Sequence, residues 1–244
     1  MRFWRYARLA LLLCSGAFCV LCLFPLCTVR QCRALKASWS AALLDTLGVT
    51  VDADLEAVLP GSLLIANHIS WIDIFVINAV LPAAFVSKAE VARWPLIGWL
   101  AARNETVFLQ RGSRGHAHQI NQDIAGILGA GGFVAVFPEG TTTDGTALLH
   151  FHAALIQPAL RVSRPVIPLS LSYWDGAGQR SLAPRYDGDI SLGQCLAALI
   201  AAPRTHARLV ATPALGLAGE DRRTVAAAAR AAIAEAAGLP LTNP

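Results

Sequence analysis

The sequence predicts an α/β fold with a largely parallel sheet flanked by helices. Apolar runs of strand length near 63–66, 84–87, 106–109, 133–137 and 166–171 alternate with helix-like patterns. That alternation builds parallel βαβ units. The residues able to do chemistry gather where those runs end, as they do when a site forms at the carboxyl edge of an open sheet. The 244 residues show no internal repeat and no low-complexity linker. Residues 49–244 therefore read as one domain behind an N-terminal segment, residues 1–48.

That segment is the first element. Leu9 to Val29 carries no charge and is long enough to cross about 30 Å of hydrocarbon as a helix, with Pro25 straining its last turns. Arg2, Arg5 and Arg8 precede the run and Arg30, Arg33 and Lys36 follow it, so flanking charge does not orient it. A spanning anchor and a re-entrant or interfacial hairpin both remain open. A secretory signal cleaved near Ser15-Gly16-Ala17 fits less well, because the apolar run continues past that point. Ala37 to Leu47 is apolar on much of one side and is expected to lie along the interface.

Composition agrees with a membrane setting. The chain is 55% hydrophobic and 15% charged, with mean hydropathy +0.50, more apolar than an ordinary soluble domain. Its net charge of +4 is assigned to anionic membrane lipids, not to nucleic acid. Five of the six cysteines lie between Cys14 and Cys32 and the other is Cys195. They form no disulfide pattern and read as small apolar residues on a reducing side.

Further on, Ala92–Ala102 and His116–Leu128 read as helices, and Gly129-Ala130-Gly131-Gly132 ends the second before the strand at Phe133. Gly176–Gly188 reads as a surface loop, Ala207–Ala211 as a last strand, and Glu220–Ala237 as an Ala-rich helix. His116-x-His118 and His150-x-His152 lack the accompanying ligands of a metal site, and no dinucleotide or P-loop motif is present.

The chemistry concentrates in Asn67-His68-Ile69-Ser70-Trp71-Ile72-Asp73. A five-residue step on one helix would set His68 and Asp73 roughly 140° apart. For the two to meet, His68 must lie in a strand-to-helix loop and Asp73 in the first helical turn. The pair then reads either as a histidine base oriented by a carboxylate or as a helix cap. A second block, Phe137-Pro138-Glu139-Gly140-Thr141, follows the strand at 133–137, and its glycine lets backbone N–H groups approach a ligand. Arg111 ends the 106–109 run. Pro168 sits within the 166–171 run, where a central ladder position tolerates it poorly.

In order, Asn-His-x-Ser-x-x-Asp, Phe-x-x-Arg, Phe-Pro-Glu-Gly-Thr and Val-Ile-Pro resemble the motifs of the glycerolipid acyltransferases. The closest likeness is to the bacterial 1-acylglycerol-3-phosphate O-acyltransferases (PlsC-like), over a motif-bearing core at residues 62–172. The resemblance implies a glycerolipid acyltransferase-like fold and transfer of a fatty acyl group from a thioester to the free hydroxyl of lysophosphatidate. It makes His68 the base and Asp73 its partner. Arg111 would grip the acceptor phosphate, and Lys88, placed after another strand-like run, would add a second cation. Glu139 would orient the turn or bond acceptor hydroxyls, and Gly140, Thr141 and Pro168 would complete the substrate-binding set. No metal or cofactor is implied. Acyl carrier protein or coenzyme A would bring the thioester, and the setting would be a bacterial inner membrane with the site on its cytoplasmic face.

Three positions depart from the family pattern: Glu105 replaces a usual Gly, Gln110 a usual acidic residue, and Thr142 a usual Arg. The last motivates an alternative acceptor such as a lyso-ornithine lipid. A non-catalytic lipid-binding membrane protein is the second alternative, although such a binder would need neither His68 nor Asp73.

Overall fold

The computed structural model describes residues 2–88, 92, 98, 103, 105–109, 114–216 and 219–241. Among them seven strands make one sheet. They are β1 (Val49–Asp54), β2 (Leu63–Ala66), β3 (Ala83–Lys88), β4 (Val107–Leu109), β5 (Phe133–Val136), β6 (Val166–Asp175) and β7 (Thr205–Ala211). Their spatial order is β1-β7-β6-β2-β5-β3-β4. Every neighbouring pair is parallel except β6–β7, so the largely parallel sheet is present as expected.

Strand β1 was not foreseen. It is an edge strand whose Val49 is buried while most of its other residues face solvent, so it lacks an apolar run. Pro168 lies in β6, an interior strand, against the expectation that a central ladder would reject it. The β6–β7 ladder starts at Leu169–Ala211, so Pro168 stands just beyond it. Its carbonyl accepts from Thr212 N at 2.9 Å, and the missing donor costs no ladder bond.

Adjacent strand residues feed two cores, as the period-2 pleat requires. Leu64, Ala66, Ile167, Leu169, Leu171 and Tyr173 face one core; Leu63, Ile65, Val134 and Val136 face the other. The first core is covered by α2 (Val29–Leu47), α3 (Asp73–Val80) and α6 (Leu192–Ala201). The second is covered by α4 (Arg114–Gly129), α5 (Gln157–Arg161) and α7 (Arg222–Ala237). The helix expected at Ala92–Ala102 falls largely outside the described residues.

The N-terminal segment is a helical hairpin. Helix α1 (Arg2–Phe18) passes into a π turn (Cys19–Leu23) and a 3₁₀ turn (Phe24–Leu26) that contains Pro25. Thr28 then starts α2 with a reciprocal capping box to Gln31, a device worth about 1 kcal/mol. The two helices run antiparallel: Arg8 pairs with Asp45 at 2.8 Å, and Trp39 Nε1 donates to Leu12 O at 2.9 Å. Both ends of the hairpin meet the sheet domain. Arg5 donates to the carbonyls of Ile200 and Ala202, and Lys36 Nζ donates to Ala83 O.

Phe3–Leu26 is long and apolar enough to cross a membrane, with mean hydropathy 2.5, yet 17% of its most apolar window is buried by protein. The expectation for Ala37–Leu47 needs correction. Leu43, Leu44 and Leu47 are fully buried in the first core, so this face of α2 packs on protein and is not left for an interface.

Candidate active site

Strand β2 ends at Ala66, and its neighbour β5 ends at Val136. Because the two are parallel, the loops that follow emerge at the same edge of the sheet. The first loop carries His68 and the second carries Glu139.

Asn67 starts the first loop by completing the ladder with its side chain. Its Nδ2 donates to Leu171 O at 2.9 Å, and Leu171 N donates to its Oδ1 at 2.8 Å. The turn after it is folded by Asp73 in the first turn of α3. Asp73 Oδ2 accepts from Ile69 N at 2.7 Å, from Ser70 N at 2.9 Å and from His68 Nδ1 at 2.8 Å. The helix-cap reading needs correction, since α3 starts after Ile72 without a side-chain cap and Asp73 binds the amides of the preceding loop instead. The same oxygen orients the histidine. Asp73 is fully buried while the His68 side chain keeps 19% of its surface exposed, so the imidazole reaches the surface and its partner does not.

The ring of His68 is fixed in plane as well. It stacks on Phe137 with centroids 3.9 Å apart and planes at 10°, and Phe137 stacks in turn on Phe85. Two contacts hold its main chain: His68 N donates to Glu139 Oε1 at 2.9 Å, and Thr143 N donates to His68 O at 2.8 Å.

Glu139 is nearly buried, and its second oxygen accepts from Leu149 N at 3.0 Å. Burial pushes its carboxyl above the ordinary range, against the two backbone donors that favour the charge. Its carboxylate thus joins the His68 loop to the 148–152 segment. Gly140 closes the turn, donating its N–H to Phe137 O at 3.2 Å with φ at +73°, a conformation that favours glycine. Thr141 is exposed beside it.

The other expected residues are distributed differently. Pro168 is buried inside the sheet, paired with Ile65, because the strand that carries it is interior. Lys88 ends β3 opposite Leu109, with its side chain outside the described residues. Arg111 also lies outside them.

Two residues that the sequence did not single out belong to the site. Tyr173 donates its hydroxyl to Asp73 Oδ1 at 2.6 Å. Tyr186 ties the expected surface loop to the His68 loop, because its N donates to Ile69 O at 3.2 Å and its carbonyl accepts from Thr142 Oγ1. Gly145 completes this wall. With φ at +77°, a Cβ there would stand 2.9 Å from Ile69 Cδ1.

Both the sequence and the fold have known counterparts. A family model described as Acyltransferase matches residues 52–172. The chain is 37% identical over 176 residues to a 1-acyl-sn-glycerol-3-phosphate acyltransferase of Neisseria gonorrhoeae, covering 70% of this chain and 67% of the relative. It is 38% identical over 201 residues to a lyso-ornithine lipid O-acyltransferase of Pseudomonas aeruginosa, covering 82% of this chain and 77% of the relative. The chain belongs to the acyltransferase family. The crystal structure of the 1-acyl-sn-glycerophosphate acyltransferase of Thermotoga maritima superposes with a TM-score of 0.61 at 21% identity, covering 95% of this chain and 97% of that one. That likeness concerns the fold.

Proposed function

We propose that the enzyme transfers a fatty acyl group from an acyl thioester to the free hydroxyl of lysophosphatidate, giving phosphatidate. The observation that carries this reading is the hydrogen bond of 2.8 Å between His68 Nδ1 and Asp73 Oδ2. A carboxylate oxygen that already takes two backbone amides acts as an acceptor, so Nδ1 holds the proton and Nε2 keeps its lone pair.

The reaction follows from that tautomer. Nε2 removes the proton of the lipid hydroxyl while the hydroxyl oxygen bonds to the thioester carbonyl carbon. Buried Asp73 stabilises the imidazolium that results. The tetrahedral adduct then collapses, the C–S bond breaks with its electron pair on sulfur, and Nε2 returns the proton to the thiolate. Such base catalysis is worth roughly 10²–10⁴-fold. No acyl-enzyme is required, because the thiol is already a good leaving group.

Arg111 is assigned to the acceptor phosphate on motif grounds and Lys88 by its place at the end of β3, with Gly140 and Thr141 assigned to hydrogen bonds with the acceptor. Acyl carrier protein or coenzyme A brings the acyl group, without metal or cofactor. Residues 1–48 serve as the membrane anchor of a catalytic domain at residues 49–244. Both ends of the hairpin return to that domain, which favours insertion into one leaflet over a span. Since the thioester donors are cytoplasmic, that leaflet is the cytoplasmic one of the inner membrane.

A second acceptor is favoured by one observation. Thr142 stands where the family usually carries Arg, and its hydroxyl is donated to Tyr186 O, so a cationic phosphate contact is replaced by a loop contact. A phosphate-free lysolipid such as lyso-ornithine lipid fits that change. The test is an acceptor panel with purified membranes, comparing wild type with His68→Ala. Lysophosphatidate should be acylated by wild type, and the variant should lose at least about 10²-fold. Full activity in His68→Ala would sink the mechanism, and activity confined to the phosphate-free lysolipid would reverse the order of acceptors.

A further inference from the structure

The geometry points to Tyr173 as a positioning residue that sets the basicity of the His68–Asp73 pair through its hydrogen bond to Asp73 Oδ1. This inference rests on the assignment of His68 as the base.

Asp73 has no exposed surface, and its carboxylate accepts from four protein donors among the described residues. Three donors converge on Oδ2: His68 Nδ1, Ile69 N and Ser70 N. Oδ1 takes the Tyr173 hydroxyl at 2.6 Å, a short bond of the kind a charged acceptor makes. Tyr173 reaches it from β6, 100 residues further along the chain, on the same face as Leu169 and Leu171. Asn67 pins β6 at Leu171, two residues away, so the loop of the base and the strand of the tyrosine are clamped together.

The phenol remains a donor at all working pH values, because burial and then the charge of Asp73 push it well above its ordinary range. A donor on Oδ1 draws charge away from Oδ2. The carboxylate then stabilises the imidazolium less than it would without the tyrosine. Two other titratable groups face the pair among the described residues. Glu139 is held by His68 N and Leu149 N. Cys195 on α6 lies next to Ser70, its thiol pushed up by burial.

The test measures kcat and KM against pH in wild type, Tyr173→Phe, Asp73→Asn and the double variant. In Tyr173→Phe the acid limb of kcat/KM should move up by roughly half a pH unit, and kcat should fall about tenfold because the carboxylate loses the bond that holds it on His68, with both KM values within about twofold. In the Asp73→Asn background the same change should have little further effect on kcat. A tyrosine that merely packed would leave the acid limb in place and would cost the same in both backgrounds. Either result overturns the inference.

Because Tyr173 is buried, site-specific 3-fluorotyrosine provides a variant that keeps shape and hydroxyl. As a stronger donor it should move the acid limb down, opposite to phenylalanine; an unmoved or raised limb counts against the role. His68→Ala separates the two levels of the argument. If that variant keeps its activity, the assignment of the base fails. If it is inactive while the Tyr173 variants titrate like wild type, only the present inference fails.

Discussion

Arg33 on α2 donates two hydrogen bonds to the carboxylate of Glu105, at 3.1 Å and 2.9 Å, while Glu105 holds φ at 59°. Lys36 on the same helix lies 3.8 Å from that carboxylate. Glu105 stands where the motif pattern that the sequence resembles has glycine, and its backbone adopts the left-handed conformation that glycine takes without strain. The side chain compensates for the backbone by binding the hairpin to the start of β4.

Replacing Glu105 should separate the two effects. Glu105→Gly relieves backbone strain of about 1 kcal/mol or more but leaves Arg33 and Lys36 without their carboxylate. Glu105→Ala loses the pairs and keeps the strain. Thermal unfolding should rank wild type above Glu105→Gly and Glu105→Gly above Glu105→Ala, with about 1 kcal/mol between the variants. If alanine matched glycine, the strain argument would fail.

Lys36 should make stability depend on pH on the alkaline side. Burial first, and then the nearby Arg33 charge, lower its pKa to about 8 from 10.5, with Glu105 opposing. Between those values the unfolded chain holds a proton that the folded chain has released. Stability therefore rises with pH across this window, and below it both states are protonated and the penalty is constant. Lys36→Met should lack that rise. The check is the difference in melting temperature between wild type and variant from about pH 7 to pH 10; a difference that did not change with pH would refute it.

The sequence made the edge of the sheet legible because apolar period-2 runs end next to the motifs, and β2, β3, β4 and β5 fall within a residue or two of those runs. The His68–Asp73 geometry was legible in part, because contact between the two required a loop and a first helical turn, while a helix cap stayed open as the other reading. Tyr173 escaped notice because the 166–171 run was read as ending at Leu171, whereas β6 continues to Asp175. Carrying the parity of Ile167, Leu169 and Leu171 onward would have placed Tyr173 on the α3 face. The contacts of Glu139 with Leu149 N and of Thr142 with Tyr186 O depend on backbone paths that no periodicity encodes. Helix α2 misled for a different reason, since an apolar face looks the same whether lipid or protein covers it.

Glu139→Gln should test whether this carboxylate organises the loops or meets the acceptor. A glutamine offers one carbonyl oxygen, so either His68 N or Leu149 N would face an amide NH₂. An orphaned buried donor costs about 1–3 kcal/mol, and a displaced His68 should lower kcat by roughly 10–100-fold. The KM for the lysolipid should change little. A raised KM with kcat intact would instead assign Glu139 to acceptor binding.

The exposed face of the hairpin should decide how the enzyme meets the bilayer. Leu11, Phe18, Leu21 and Leu26 are 71%, 59%, 59% and 84% exposed, and no described part of the protein covers them. Each large apolar side chain gains about 1.5–3 kcal/mol on leaving water, so two or three of them dominate over the +4 net charge, whose pull is screened at physiological salt. Leu11→Asp with Leu21→Asp should therefore lower partition into anionic vesicles by about a hundredfold or more. The melting temperature and the activity on a detergent-dispersed short-chain substrate should hold, because neither side chain belongs to a core. Wild type should also stay bound in high salt. Release of wild type by salt alone, with the double variant binding normally, would show that charge rather than the apolar face carries the attachment.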